Sequence, residues 1–320
     1  MFIFDLLTYS IFFYAGWFVI LKCVFLFFRF IAVKAISKYI PINWITRYGK
    51  NSYVLITGSS DGLGKAYAFT FASRGMNLIL AARNKQKLES VKSEILLKHP
   101  TTKIEIYVCD FAESLKPNFY KNMYEFTSKF DVSIIVNNVG VSLITSKDDY
   151  LFKNKRKSDV VDVVTINIVA QTCLHLYYQP IFNNRFHRSA FIDIGSLSSE
   201  MIIPFVEIYS ATKKFNTYFS DTIALEKGQA NYDQLLYTAA MIDTPGLKSA
   251  NIDKSTKESI FINNPKEAAE CTLESLGRTR RTNSTWMHFI SNIFIILIFP
   301  VFETSFSEFL INQVYEKLLR

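Results

Sequence analysis

Tyr209 and Lys213 stand four residues apart in the segment EIYSATK, and Ser196 precedes the tyrosine by thirteen residues. On a helix an i,i+4 pair shares one face. Such a set suits carbonyl reduction: a phenol can protonate the alkoxide that a hydride creates, while a hydroxyl hydrogen-bonds the carbonyl oxygen. A free phenol has a pKa of about 10, and bringing it to about 7 takes about 4 kcal/mol of preference for phenolate. An ammonium at ~4 Å supplies only ~1 kcal/mol in bulk water but ~4 at an effective dielectric near 20. The pair therefore works in a site partly closed to water, with the lysine expected to lower the phenol. Taken alone, Y-x-x-x-K is common and mostly structural, so its weight comes from what lies upstream.

Upstream, the run TGSSDGLGKAYA places Gly58, Gly62 and Gly64 in the spacing T-G-x-x-x-G-x-G. Glycines there let the backbone turn tightly and approach a pyrophosphate, and a helix starting near Gly62 offers free N–H groups to it. A simple turn is the bland alternative. The run LILAARNKQKL ends in Ala82 and Arg83, with no acid before Glu89. An acid there would serve the ribose hydroxyl of NAD, whereas Arg83 suits the 2′-phosphate of NADPH through charge-assisted bonds. A solvated surface cation is the alternative. Asp110, after another apolar run, is placed to accept from an adenine amino group or to cap a turn. The amides and glycine of NNVG (Asn137, Asn138, Val139, Gly140) suit close passage to a ribose and nicotinamide, or an ordinary turn.

Six apolar runs must position these residues: SYVLIT, MNLILAA, KIEIYVCD, VSIIVNN, SAFIDIGS and QLLYTAA, each separated by a helical-looking stretch. Strands alternating with helices predict an α/β fold with a parallel sheet, right-handed crossovers and helices on both faces. Such sheets bind ligands beyond the carboxyl ends of their strands. The motifs fall just after the runs. Residues 51–285 read as one such domain, with no internal repeat or low-complexity linker.

The ends of the chain differ. Residues 6–28 hold 14 Leu, Ile, Phe or Val residues and one charge, Lys22. On an insertion scale these contribute about −4 to −8 kcal/mol against ~3 for the lysine, so insertion wins. Asp5 and the lack of a basic start argue against a cleaved signal peptide. The expectation is a membrane anchor with a basic juxtamembrane segment over residues 1–50. Lys22, Arg29, Lys34, Lys38, Arg47 and Lys50 predict a cytosolic main body. Residues 286–320 open with a second, shorter apolar stretch broken by Pro300, which fits an interfacial helix, a span or a core helix.

Composition excludes several classes. Hydrophobic residues at 49% and charged residues at 20% argue against disorder. The net charge of +8 is concentrated beside apolar segments rather than in a stripe interleaved with aromatics, so no nucleic acid is expected. Cys23, Cys109, Cys173 and Cys271 are far apart and the four histidines do not cluster, so no disulfide framework and no metal is expected.

With TGSSDGLGKAYA, ILAARNKQKL, VCDFA, IIVNNVGVS and IYSATK in view, the chain resembles a short-chain dehydrogenase/reductase from about Tyr53 onward. It is most similar to the membrane-bound branch of very-long-chain 3-ketoacyl-CoA reductases and 17-beta-hydroxysteroid dehydrogenases. The resemblance implies a Rossmann-type doubly wound sheet and a catalytic tetrad of Asn167, Ser196, Tyr209 and Lys213, with Ser196 also touching substrate. It implies NADPH held by Thr57, Gly58, Gly62, Leu63, Gly64, Arg83, Asp110, Asn137, Tyr209, Lys213, Ile242 and Thr244. The implied activity is reduction of a 3-ketoacyl-CoA in fatty-acid elongation at the endoplasmic reticulum membrane. A steroid or retinoid oxidoreductase is the alternative, and a catalytically silent scaffold a weaker one. The implied partners are a lipid-like acyl-CoA substrate, the membrane, other elongation enzymes and a second copy in a homodimer. One departure stands out: the family's Pro after the sixth strand is replaced near Ala239.

Overall fold

All six apolar runs form strands: β1 (Tyr53–Thr57), β2 (Asn77–Ala82), β3 (Ile104–Val108), β4 (Val132–Asn137), β5 (Ser189–Ser196) and β6 (Tyr232–Ala239). The computed structural model describes residues 2–142, 152–203, 205–226, 231–243, 262–283, 289 and 308. A two-residue strand, β7 (Arg281–Thr282), extends the sheet at its edge. The order is β3-β2-β1-β4-β5-β6-β7, and every pairing is parallel. The chain winds outward in both directions from β1, so the crevice of this doubly wound sheet opens between the carboxyl ends of β1 and β4.

Strands β1, β2 and β4 are buried along their whole length, which explains their unbroken apolar runs. Alternate residues serve opposite layers. Val54, Ile56, Leu78 and Leu80 pack with Tyr67 and Phe71 of α3 (Gly62–Ser73), Leu88 and Ile95 of α4 (Lys85–Lys98), and Leu273 of α9 (Pro265–Ser275). Leu55, Ile79, Ile135 and Phe191 meet Met123 of α5 (Phe119–Thr127) and Leu174 and Phe182 of α7 (Ala170–Asn184). Helix α8 (Glu207–Ile223) lies over β5 and β6.

Helix α6 (Lys157–Val164) runs into α7 through a π-helical turn, Thr165–Val169. Among the described residues, Lys157–Asn184 is long and apolar enough to cross a membrane by length and composition. Ile166, Ala170, Leu174, Tyr178 and Phe182 nevertheless face the sheet, as in a core helix.

The first helix, α1 (Phe2–Tyr39), has 38 residues and is about 57 Å long. Phe13, Trp17, Phe18, Leu21, Phe25 and Phe28 are exposed on it. Its later part docks on the domain. Lys34 reaches Glu274 at 2.6 Å, Arg29 donates to the Thr279 hydroxyl at 2.7 Å, and Phe30 stacks on Phe289. A short helix α2 (Trp44–Tyr48) buries Trp44 and Tyr48 under the sheet, where Arg47 binds Asp233. Arg29, Lys34 and Arg47 thus hold α1 and α2 to the domain instead of forming a loose basic stretch.

Candidate active site

The glycine-rich turn is built by strand-end contacts. Thr57 is fully buried at the end of β1; its hydroxyl donates to the Val136 carbonyl at 3.1 Å and accepts from the amides of Asn138 and Val139, each at 3.0 Å. The Asn138 amide donates to the carbonyls of Thr57 and Gly58 at 2.8 and 3.2 Å. The loops after β1 and β4 are therefore one unit. Gly58 and Gly62 adopt positive φ of 65° and 53°. A Cβ on Gly64 would lie 2.3 Å from the Gly58 carbonyl oxygen, so only glycine lets α3 start this close. Asp61 precedes α3 without a side-chain capping bond. The first-turn amides of α3 are left to an anion, as a pyrophosphate requires. Leu63 turns its side chain into the core, leaving its main chain to the loop. These features fit a dinucleotide.

At the end of β2, the Arg83 side chain is 77% exposed, and its guanidinium stands 4.0 Å from Asp110 after β3. Asp110 accepts from the Ala112 amide at 3.0 Å, so it caps a turn with one oxygen and leaves the other beside Arg83.

The residues expected to transfer the proton lie on β5, α8 and the π turn. Ser196 ends β5, and its hydroxyl accepts from the Ser198 amide at 3.2 Å and hydroxyl at 2.9 Å. Tyr209 and Lys213 lie on successive turns of α8, with the ammonium 5.8 Å from the tyrosine ring centre. The start of α8 is braced by the buried Lys155, which binds Glu207 at 2.9 Å and the Phe205 carbonyl at 3.2 Å. Lys213 is 4% exposed and donates to the Ile194 carbonyl at 2.8 Å. A Cβ on Gly140 would sit 3.2 Å from that ammonium, so this glycine gives the lysine its place.

Asn167 joins the group from the π turn. Its amide exchanges bonds with both main-chain groups of Val141, at 2.8 and 3.0 Å, and donates to the Thr212 hydroxyl at 2.9 Å. The extra residue of a π turn re-aims a side chain, and such turns recur at functional sites. Four residues from three separate elements thus share one end of the sheet.

Burial pushes the Lys213 ammonium down to about 8, opposed by the Asp193 charge. The Tyr209 phenol is raised above its ordinary value, also by burial, with its hydrogen bond to Ser196 pulling the other way. The expected lowering by lysine is not among the influences on the phenol in this arrangement, where burial outweighs the Ser196 hydrogen bond. The phenol stays protonated through neutral pH, which is the form a proton donor needs.

The side chains of two residues expected to bind the cofactor have structural partners. The Asn137 side chain turns beneath the crevice and donates to Asp193 at 2.7 Å, so it does not face the cofactor cleft; the β-strand alternation that brings Asn138 to Gly58 sends Asn137 the other way. Thr57 likewise supports the loop with its side chain. Ile242 is buried and bridges to Asn263, while Thr244 and most of the 286–302 stretch lie outside the described residues. Sequence reasoning missed Asn138 and Thr212 as organisers. The only signal for Asn138 was its place in NNVG, which reads equally as a turn.

Residues 52–255 match the short chain dehydrogenase family model. The chain belongs to this family. Hydroxysteroid dehydrogenase-like protein 1 of Gallus gallus is 31% identical over 282 residues, covering 86% of this chain and 81% of its own. A very-long-chain 3-oxoacyl-CoA reductase of Vanderwaltozyma polyspora is 29% identical over 295 residues, covering 88% and 81%. The solved structure of a 7beta-hydroxysteroid dehydrogenase superposes with a TM-score of 0.72 at 19% identity, covering 84% of this chain and 99% of that one. At that identity the likeness speaks for the fold. As a short-chain dehydrogenase, the protein is an oxidoreductase that works with a nicotinamide dinucleotide.

Proposed function

We propose that this short-chain dehydrogenase reduces a 3-ketoacyl-CoA to the 3-hydroxyacyl-CoA, using NADPH, during fatty-acid elongation at the endoplasmic reticulum membrane. The observation that carries the reading is the meeting of Tyr209, Lys213, Ser196 and Asn167 beside the glycine loop. Relatives named very-long-chain 3-oxoacyl-CoA reductase, from yeast to nematode, support the substrate class.

NADPH, when bound, would supply the hydride that reduces the carbonyl. Ser196 hydrogen-bonds the carbonyl oxygen and stabilises the charge that develops there. Tyr209 would give its proton to that oxygen, and Lys213 would stabilise the phenolate left behind and help hold the nicotinamide ribose. Asn167 holds the loop after β4 against α8, fixing the lysine's surroundings. Arg83, exposed and only loosely paired with Asp110 at 4.0 Å, favours the 2′-phosphate of NADPH over the bare ribose of NADH.

The exposed apolar residues of α1 support a membrane anchor, with the catalytic domain on the cytosolic side. An anchored site suits a substrate with a lipid-soluble tail and an anionic head. Other elongation enzymes would then share the same membrane. The hydroxysteroid dehydrogenase-like relative favours a second reading, a steroid substrate in the same cleft. Purified protein with NADPH, offered long 3-ketoacyl-CoAs and ketosteroids side by side, separates the two. Turnover of the acyl-CoAs is expected, and inactivity toward them alongside steroid reduction overturns the first reading.

A further inference from the structure

We infer that Arg281 on the edge strand β7 is a positioning residue: it clamps the turn that follows Ser196 to helix α8 and ties that clamp to helix α1. Its use in catalysis rests on the reductase reading, whereas the clamp itself rests on side-chain contacts.

Strand β7 has two residues, and their side chains take opposite faces of the sheet. Thr282 meets Ser275 of α9, with the two hydroxyls 2.7 Å apart. Arg281 turns to the face that α8 covers. Its guanidinium donates to both carboxylate oxygens of Asp221, from Nε at 3.0 Å and from Nη2 at 2.5 Å. Nη1 lies 3.7 Å from Glu200, whose other oxygen accepts from Lys214 at 3.0 Å. Lys214, Glu200, Arg281 and Asp221 thus form a row of alternating charge, and both of its ends belong to α8.

Glu200 closes the 3₁₀ turn Leu197–Glu200, which starts directly after Ser196. In the same turn, the Ser199 hydroxyl donates to the Ser196 carbonyl at 2.7 Å and lies 3.3 Å from the Thr217 hydroxyl of α8. Lys214 is the neighbour of Lys213. The row therefore joins the two elements whose relative placement sets Ser196 against Tyr209. A planar guanidinium forked on one carboxylate fixes direction as well as distance. Arg281 and Asp221 are each 37% exposed, and pairs so open to water add little to stability. Their geometry is the larger contribution.

The row is also held from outside. The Arg281 carbonyl accepts from Arg29 of α1 at 3.0 Å and from the Thr279 hydroxyl at 3.0 Å. Arg29 in turn donates to that hydroxyl at 2.7 Å. Movement of α1 would therefore be felt at the Ser196 turn through one residue, Arg281.

The test uses full-length protein in detergent, with a long 3-ketoacyl-CoA and NADPH. Arg281→Met and Glu200→Gln are expected to lower kcat by ~10-fold while KM stays within about twofold. Thermal unfolding should stay nearly unchanged. Arg281→Lys, which keeps the charge without the fork, should recover part of the lost kcat. Hydrogen exchange, measured without substrate, should quicken at the amides of Ser198 to Glu200 in Arg281→Met and Glu200→Gln. Arg29→Met should quicken it to a smaller extent. Unchanged kcat in the folded variants would overturn the positioning role, and unchanged exchange would overturn the clamp. Exchange that responds to Arg281→Met but not to Arg29→Met would overturn the link to α1. Should Arg281→Met fail to fold, Glu200→Gln decides by the same two readings. If the wild type fails to reduce 3-ketoacyl-CoA, the substrate reading falls while exchange still judges the clamp.

Discussion

At the base of the sheet, Asp233 binds Arg47 through both carboxylate oxygens at 2.9 Å and also takes the Tyr48 hydroxyl and Arg188. Nearby, Asp131 holds Arg185 through both oxygens at 2.8 Å. At the carboxyl end, Arg83 is exposed with its nearest acid 4.0 Å away, and Lys213 leans on a main-chain carbonyl. Arg47, Arg185 and Arg188 at the base are closely paired with carboxylates, whereas Arg83 and Lys213 at the carboxyl end are not. Fully paired charges fasten helix α2 and the strands together. Partly paired ones keep the capacity to hold an anion, and perturbed groups gather where chemistry is done. This difference supports the proposed seat of the dinucleotide and substrate at the carboxyl end.

That contrast breaks most visibly at Tyr209. Tyr209→Phe is expected to cut kcat by ~10²–10⁴-fold while leaving thermal unfolding nearly unchanged. Equal turnover in a folded variant would make the carboxyl end no more functional than the base.

Next in size is the pH dependence of stability set by Lys213. Its folded value of about 8 lies below the 10.5 of an exposed lysine. Between these values the unfolded chain binds more protons, so stability rises with pH across that window. Below pH 8 the burial cost is constant and fully present. The span corresponds to about 3 kcal/mol. Urea unfolding of dinucleotide-free protein from pH 7.5 to 10.5 should show this rise, and Lys213→Met should lack it.

Asp233→Ala sharpens the other side. Losing the carboxylate is expected to cost about 2–3 kcal/mol in urea unfolding, below the fully buried case because Arg47 and Arg188 reach solvent. Turnover per folded molecule should stay at the wild-type level. A large loss of kcat without a loss of stability would place function at the base.

The smallest effect concerns selectivity. Arg83→Asp should lower the ratio of kcat/KM for NADPH over NADH by ~10–100-fold. An unaltered ratio would mean that Arg83 is only a solvated cation.

The strands were legible because a sheet covered on both faces demands apolar runs, which β1, β2 and β4 meet along their whole length, while the edge strand β3 carries Glu105 and is only partly buried. Strand β7 was hidden, since two residues carry no periodic pattern. In the site, Tyr209 and Lys213 were readable from helical spacing, whereas the aim of Asn167 depends on a π turn that local sequence does not announce. Asn137 and Asn138 are adjacent amides whose opposite directions follow from strand geometry at the end of β4. The Asp193–His175 pair joins residues eighteen apart on a strand and a helix, a contact only the folded packing creates. The direction of the Tyr209 shift was misjudged for a similar reason: the strength of desolvation depends on burial, which spacing does not reveal.

An experimental structure of the protein with NADPH bound tests the central placement most directly. The pyrophosphate should lie over the amides of Gly62 to Gly64, with Lys213 Nζ and the Tyr209 hydroxyl within about 3 Å of the nicotinamide ribose. A dinucleotide seated elsewhere, with Tyr209 turned from the glycine loop, would contradict the account.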